Sequence, residues 1–113
     1  MRIDSYEFGR IVIDGRTYIS DVIIFPDRVK SNWWRREGHK LCVDDLEEVF
    51  AARPEVLVVG KGYSGMMEVP RETAEHVKAK GIELVAEDTR KAVEVYNRLS
   101  RSRKVVAALH LTC

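Results

Sequence analysis

Apolar and polar positions change rhythm partway along this chain of 113 residues. From Tyr6 to Ile13 they alternate among β-branched residues, which predicts a strand with one covered face. Asp14-Gly15 follows, and a two-residue hairpin needs positive φ at both central positions, which this pair tolerates. Thr17 to Phe25 reads as the return strand, Pro26-Asp27 as the next turn, and Val29 to Trp33 as a third strand. The segment WWRREGHKLC has mixed charge and no period, so a long ordered loop is expected there. Leu46, Val49 and Phe50 then fall on one stripe of a helix over Asp44 to Ala52. Its acidic start, Asp44, Asp45, Glu47 and Glu48, complements the positive end of the helix dipole.

The second half has longer apolar runs separated by helical stripes. Val56 to Val59 is continuously apolar, as in a strand covered on both faces. Pro70 opens a helix running to about Lys80, and Gly81 stops it. Ile82 to Ala86 reads as a second buried strand. Asp88 or Thr89 caps a helix whose stripe is Ala92, Val93, Tyr96 and Leu99, and Val105 to Leu111 closes the chain as a strand. Strand, helix, strand, helix, strand implies right-handed crossovers and mainly parallel pairing. The predicted fold class is α/β. It is a single three-layer domain over residues 1–113, with an N-terminal antiparallel β-meander packed beside a small, mainly parallel β-α-β-α-β sheet.

Composition narrows the function classes. Hydrophobic residues make up 45% and charged residues 33%, a globular rather than disordered balance. The net charge of +1 argues against a molecule-wide attraction to nucleic acid. The start MRIDSYEFG lacks an apolar signal core, and no apolar run reaches bilayer length, so a cytoplasmic location without membrane contact is expected. The two cysteines, Cys42 and Cys113, fit reduced thiols.

The stretch VLVVGKGYSG carries the most suggestive chemistry. Gly60, Gly62 and Gly65 spell GxGxxG after a strand, with Glu83 or Glu87 about twenty residues on. In a dinucleotide site the helix begins inside the glycine turn, whereas here MMEV intervenes before Pro70. A P-loop fails because Gly62, not Ser or Thr, follows Lys61. A nucleophile elbow at Ser64 is a near miss, since Gly65 comes one residue early, although Ser64, Asp88 and His110 stand in hydrolase order. The plain reading is a tight exit from the sheet. The functional alternative is an anion or nucleotide site made by free N–H groups of the loop with Lys61 beside them.

Two further patterns draw notice. His39 precedes Cys42 by three residues and His110 precedes Cys113 by three, a composition that suits zinc. An offset of three along a strand points side chains to opposite faces, so no metal site is assigned. The segment WWRREGHK joins Trp33 and Trp34 to Arg35, Arg36 and Lys40. Aromatics among basic residues can stack on single-stranded nucleic acid. Tryptophan and arginine are also the usual anchors of protein interfaces, and protein contact is favoured here, with one tryptophan in the core and the other on the surface. A second basic group, Arg98, Arg101, Arg103 and Lys104, suits the negative end of a helix dipole.

The tail DTRKAVEVYNRL…KVVAALHLTC, the opening FGRIVIDGRTYISDVII and the loop LVVGKG resemble a small domain family of unknown function. That family includes the mitochondrial respiratory complex I assembly factor three and an adipogenesis-associated relative, and this chain looks like a prokaryotic, archaeal-type member. The resemblance covers essentially the whole chain. It implies an α/β domain with an antiparallel section beside a parallel one, no established enzyme activity, no obligatory metal or cofactor, and roles through protein partners. On the matching motifs it draws attention to Gly60, Gly62, Asp88, Thr89, Tyr96 and Asn97. Asn97 stands out because asparagine is a weak helix former, so its amide is expected to bond a specific neighbour.

The leading expectation is a non-catalytic, protein-binding or assembly-factor-like domain that acts through a protein partner, with a homodimer as a further candidate assembly. Its candidate contact residues are Trp33, Trp34, Arg35 and His39 together with Lys61 to Gly65. Trp34→Ala and Arg35→Ala are both expected to leave folding intact.

Overall fold

The computed structural model describes residues 1–113. The first three strands, β1 (Ile3–Glu7), β2 (Arg10–Ile13) and β3 (Arg16–Tyr18), form an antiparallel meander. Asp14 at φ 48° and Gly15 at φ 78° make the tight turn between β2 and β3 that the sequence predicts. The run Tyr6 to Ile13 is not one strand, however. It folds back at Phe8-Gly9, where Gly9 takes φ 75°, so its two halves pair with each other.

The second sheet has five strands in the order β5-β4-β8-β6-β7. These are β4 (Val22–Ile24), β5 (Val29–Lys30), β6 (Val56–Lys61), β7 (Glu83–Glu87) and β8 (Val105–His110). Strands β7, β6 and β8 are parallel, as expected from their helical crossovers. Strand β4 joins β8 antiparallel and carries β5 at the edge. The expected return strand from Thr17 to Phe25 is therefore two strands in two sheets, with Ile19, Ser20 and Asp21 bridging them. The third strand ends at Lys30 rather than Trp33, because Asn32 turns the chain at φ 54°.

Three α-helices follow, α1 (Glu47–Ala52), α2 (Arg71–Ala79) and α3 (Thr89–Leu99). The first predicted helix begins as a 3-10 turn over Val43–Leu46, with the Asp45 carboxylate accepting from the Cys42 N–H at 2.8 Å. Pro70 enters α2 with extended backbone, and Gly81 leaves it at φ 78°.

The alternation of β-strand side chains divides the core in two. Val56, Val58, Ala107, Leu109, Val22 and Ile24 pack with Ala92, Val95 and Tyr96 of α3 and with Ile3, Ile11 and Ile13 of the meander. Leu57, Val59, Val106, Ala108 and Ile23 pack on the other face with Leu46, Val49, Val77, Leu41 and Trp33. The central sheet is thus covered on both sides, and its C-terminal strand edge meets the bridge between the two sheets.

Candidate binding site at the sheet junction

The register of β4 on β8 pairs Val22 with Leu109. One step further, at the bridge, Asp21 lies across from His110. The Asp21 Oδ2 atom is 2.7 Å from His110 Nδ1, and Oδ1 accepts from the Leu111 N–H at 2.7 Å. Arg35 completes the cluster. Its Nη1 donates to Asp21 Oδ2 at 2.8 Å and its Nη2 donates to the Gly38 carbonyl at 2.9 Å. The guanidinium carbon lies 4.8 Å from the Trp33 ring centre. Side-chain exposures of 4% for Arg35, 16% for Asp21 and 7% for His110 make this a buried ion cluster rather than a surface one. Burial is the largest single influence on the Asp21 carboxyl and pushes its pKa up. Hydrogen bonds from His110, Leu111 and Arg35 together outweigh it and hold the group below the usual carboxylate range.

His110 Nδ1 also stands 3.0 Å from Arg35 Nη2. A guanidinium can only donate and a carboxylate can only accept, so one ring nitrogen cannot serve both. The shorter contact is with the carboxylate, and it assigns the Nδ1 proton to the Asp21 bond. The opposite nitrogen, Nε2, is buried without a hydrogen-bond partner. Such an atom costs a fold about 1–3 kcal/mol. A cavity of about 370 Å³ lies beside this cluster, lined by Asp21, His110, His39, Trp34, Ser20 and Thr112 among others, and it does not reach the buried Nε2.

The loop that closes the cavity is held along its length. The Trp33 N–H donates to the Asp21 carbonyl at 3.0 Å, and its indole Nε1 to the Asp45 carbonyl at 3.3 Å. Arg36 pairs with Asp44 at 2.7 Å. Glu68 donates to the His39 carbonyl at 2.7 Å, and Leu41 donates to the Glu68 carbonyl at 2.9 Å. The two tryptophans separate as expected: Trp33 is 4% exposed in the core and Trp34 is 83% exposed. Arg35 does not join Trp34 on the surface. Its guanidinium is committed to Asp21 and Gly38, which corrects its placement as a free contact residue.

The glycine loop has a different role from the cradle its sequence suggests. Gly62 N–H donates to Thr89 Oγ1 at 2.8 Å, and the same hydroxyl donates to the His110 carbonyl at 2.6 Å. Tyr63 and Met66 donate to the Thr112 and Cys113 carbonyls, both at 3.1 Å, and Gly65 to Gly62. These N–H groups clasp the C-terminal residues and α3, so the free donors expected for an anion site are corrected. Ser64 is exposed and Lys61 half-buried at the end of β6. Asp88 caps α3 through the Lys91 N–H at 3.0 Å and is not the partner of His110. The order Ser64, Asp88, His110 along the chain thus forms no triad, since the carboxylate beside the histidine is that of Asp21.

Asn97 meets the expectation of a specific bond, with both amide atoms on Ile3. His39 and His110 come within 6.1 Å, ring centre to ring centre. No group of three or more His, Cys, Asp or Glu side chains converges in a way that could hold a metal ion. In the basic group after α3, Arg103 bridges Glu55 at 3.2 Å and Glu83 at 3.1 Å, and Lys104 donates to the Ala52 carbonyl at 2.6 Å. Sequence reasoning missed Asp21 entirely. Its chemistry depends on a partner 89 residues away, and a lone aspartate after Ile-Ser carries no local signal.

No helix is long and apolar enough to cross a membrane. The chain is similar to the conserved hypothetical protein PH1505 from Pyrococcus horikoshii OT3, at 28% identity over 100% of both chains with a TM-score of 0.86. A protein from Bordetella parapertussis matches at 27% identity and TM-score 0.80, over 96% of this chain and 92% of that one. A protein from Bartonella henselae described as an outer membrane protein shares the fold, at 23% identity and TM-score 0.81 over 98% and 94%. The family described as "Protein of unknown function (DUF498/DUF598)" matches residues 3–110, and with nearly the whole length covered, this chain belongs to that family.

Proposed function

We propose that this protein is a non-catalytic binding domain that acts by contacting another protein through the loop from Trp33 to His39. The observation that carries the reading is the contrast between neighbouring tryptophans on a fastened loop. Trp33 is locked into the core, and Trp34 is 83% exposed beside it. An exposed tryptophan costs solvation and has no role in this core. A rigid loop that presents it has already given up the conformational freedom that binding would otherwise take, and tryptophan is a frequent interface anchor. Ile19, 82% exposed, lines the same cavity and extends the apolar surface. The alternative reading, an anion or nucleotide held by Gly60 to Gly65 and Lys61, has less support because the loop N–H groups already bond within the chain.

The test is affinity capture from cells of the native host with wild-type protein and Trp34→Ala, each shown to be folded by thermal melting. Loss of a specific co-purifying protein with Trp34→Ala alone is expected. Identical captures from both proteins would overturn the reading.

A further inference from the structure

We infer that two copies of this chain pair through the face around the end of β8, each setting its Trp34 ring into the cavity of the other. The inference rests on the protein-contact reading of the Trp33–His39 loop and names the partner there as a second copy.

Three observations carry it. First, exposed apolar side chains gather on this face. Five of the six large ones that the surface exposes, Phe8, Ile19, Trp34, Tyr63 and Met66, flank the segment from Leu111 to Cys113. Gly9, next to Phe8, donates to the Leu111 carbonyl at 2.9 Å, and Tyr63 and Met66 donate to those of Thr112 and Cys113. Ile19 and Trp34 line the cavity together with Thr112. The five leave on the order of 600 Å² in water, the upper end for a monomer's apolar patch. That is most of the roughly 800 Å² per partner that a stable interface covers. Second, the face complements itself. It carries a projecting indole and, beside it, a hollow of about 370 Å³. A two-fold pair sets each feature of one copy against a different feature of the other, so both rings and both hollows are used at once. The ions in the wall, Asp21 and Arg35, are already paired at 2.8 Å, so an entering apolar ring strands neither. Third, the charges near the face balance. Glu7 pairs with Arg10 at 3.3 Å and Arg36 with Asp44 at 2.7 Å. Lys61 and Arg90 share the ends of β6 and β7 with Glu87 and Asp88. Two copies therefore meet without net repulsion, whereas an anionic lipid surface or nucleic acid finds no excess of cations.

The experiment is sedimentation velocity on the purified chain over a wide concentration range, with native mass spectrometry to count subunits. The wild type is expected to pass from monomer to dimer as concentration rises. Trp34→Ala and Ile19→Lys, both at exposed positions, should fold normally and weaken the dimer about tenfold or more. Thr112→Phe fills the hollow while keeping Trp34 and the Thr112 backbone bonds, and it should weaken the dimer as well. Reciprocal insertion makes one further demand. Mixing Trp34→Ala with Thr112→Phe restores one ring in one open hollow, so the mixed dimer should outnumber both homodimers. A wild type that stays monomeric at every concentration, a dimer unchanged by Trp34→Ala and Ile19→Lys, or no preference for the mixed dimer would each overturn the inference. A monomeric wild type whose capture of a different protein is lost in Trp34→Ala would overturn this inference and leave the protein-contact reading standing. A monomeric wild type with identical captures from both proteins would overturn both.

Discussion

Asn97 grips the backbone of Ile3 from 94 residues away, accepting its N–H at 2.9 Å and donating to its carbonyl at 2.8 Å. A helix side chain thus supplies both hydrogen bonds that a neighbouring strand would give β1. This joins α3 to the meander at a point where Ile3 is 2% exposed. Asn97→Asp keeps the acceptor but sets a carboxylate oxygen against the Ile3 carbonyl. It is expected to lower stability by about 2 kcal/mol in urea unfolding and to speed hydrogen exchange at the Ile3 amide. Unchanged exchange there would show that β1 is held by its other contacts.

Arg35 and Trp34 are adjacent, and opposite outcomes are expected from truncating them. Arg35→Ala leaves Asp21 buried without its counter-ion, and breaking a buried pair costs about 3 kcal/mol or more. Trp34→Ala removes an exposed ring and should change stability by no more than about 0.5 kcal/mol. Denaturant titration of both variants checks the pair. Equal stabilities would mean that the Asp21 cluster contributes nothing net.

Acid should weaken the fold through Asp21. Its folded pKa is held below the ordinary carboxylate value of about 3.9. A depressed acid contributes stability that is present above the unfolded pKa and is lost as pH falls through the folded one. The stability gap between wild type and Asp21→Asn is therefore expected to be widest above about pH 5 and to close progressively below pH 4. A gap that stays constant over that range would place the contribution of Asp21 in packing rather than in its charge.

Gly62 and Gly81 both take positive φ, at 102° and 78°, but their surroundings differ. A Cβ on Gly81 meets nothing within 4 Å, whereas one on Gly62 would lie 2.3 Å from the Thr112 carbonyl oxygen. Gly81→Ala should cost about 1 kcal/mol, the strain of a left-handed alanine. Gly62→Ala adds a backbone clash and should lose more than about 3 kcal/mol or release the C-terminal residues from the loop. Thermal melting of the two variants, with hydrogen exchange at the Tyr63 and Met66 amides that bond Thr112 and Cys113 to report release, makes the comparison. Similar losses in both would reduce the glycine loop to a turn.

Much of the architecture was legible along the chain. Asp14-Gly15 carries its own turn, since few other pairs accept positive φ twice. The α2 and α3 stripes and the apolar runs of β6 and β8 announce a parallel sheet covered on both faces, and an asparagine inside the last turn of α3 announces a specific bond. The split of Thr17 to Phe25 was not legible, because alternation is the same whether a strand continues in one sheet or passes to another. Nor could spacing show which carboxylate would reach His110. Periodicity records that a face is covered and does not record by what. The sequence alone therefore determined the strands and helices of the parallel half, the Asp14-Gly15 turn and the two-sided core. The closing of β4 against β8 decided that Asp21, Arg35 and His110 share one buried cluster with an unpartnered nitrogen, because only that pairing brings residues 89 positions apart within 2.7 Å.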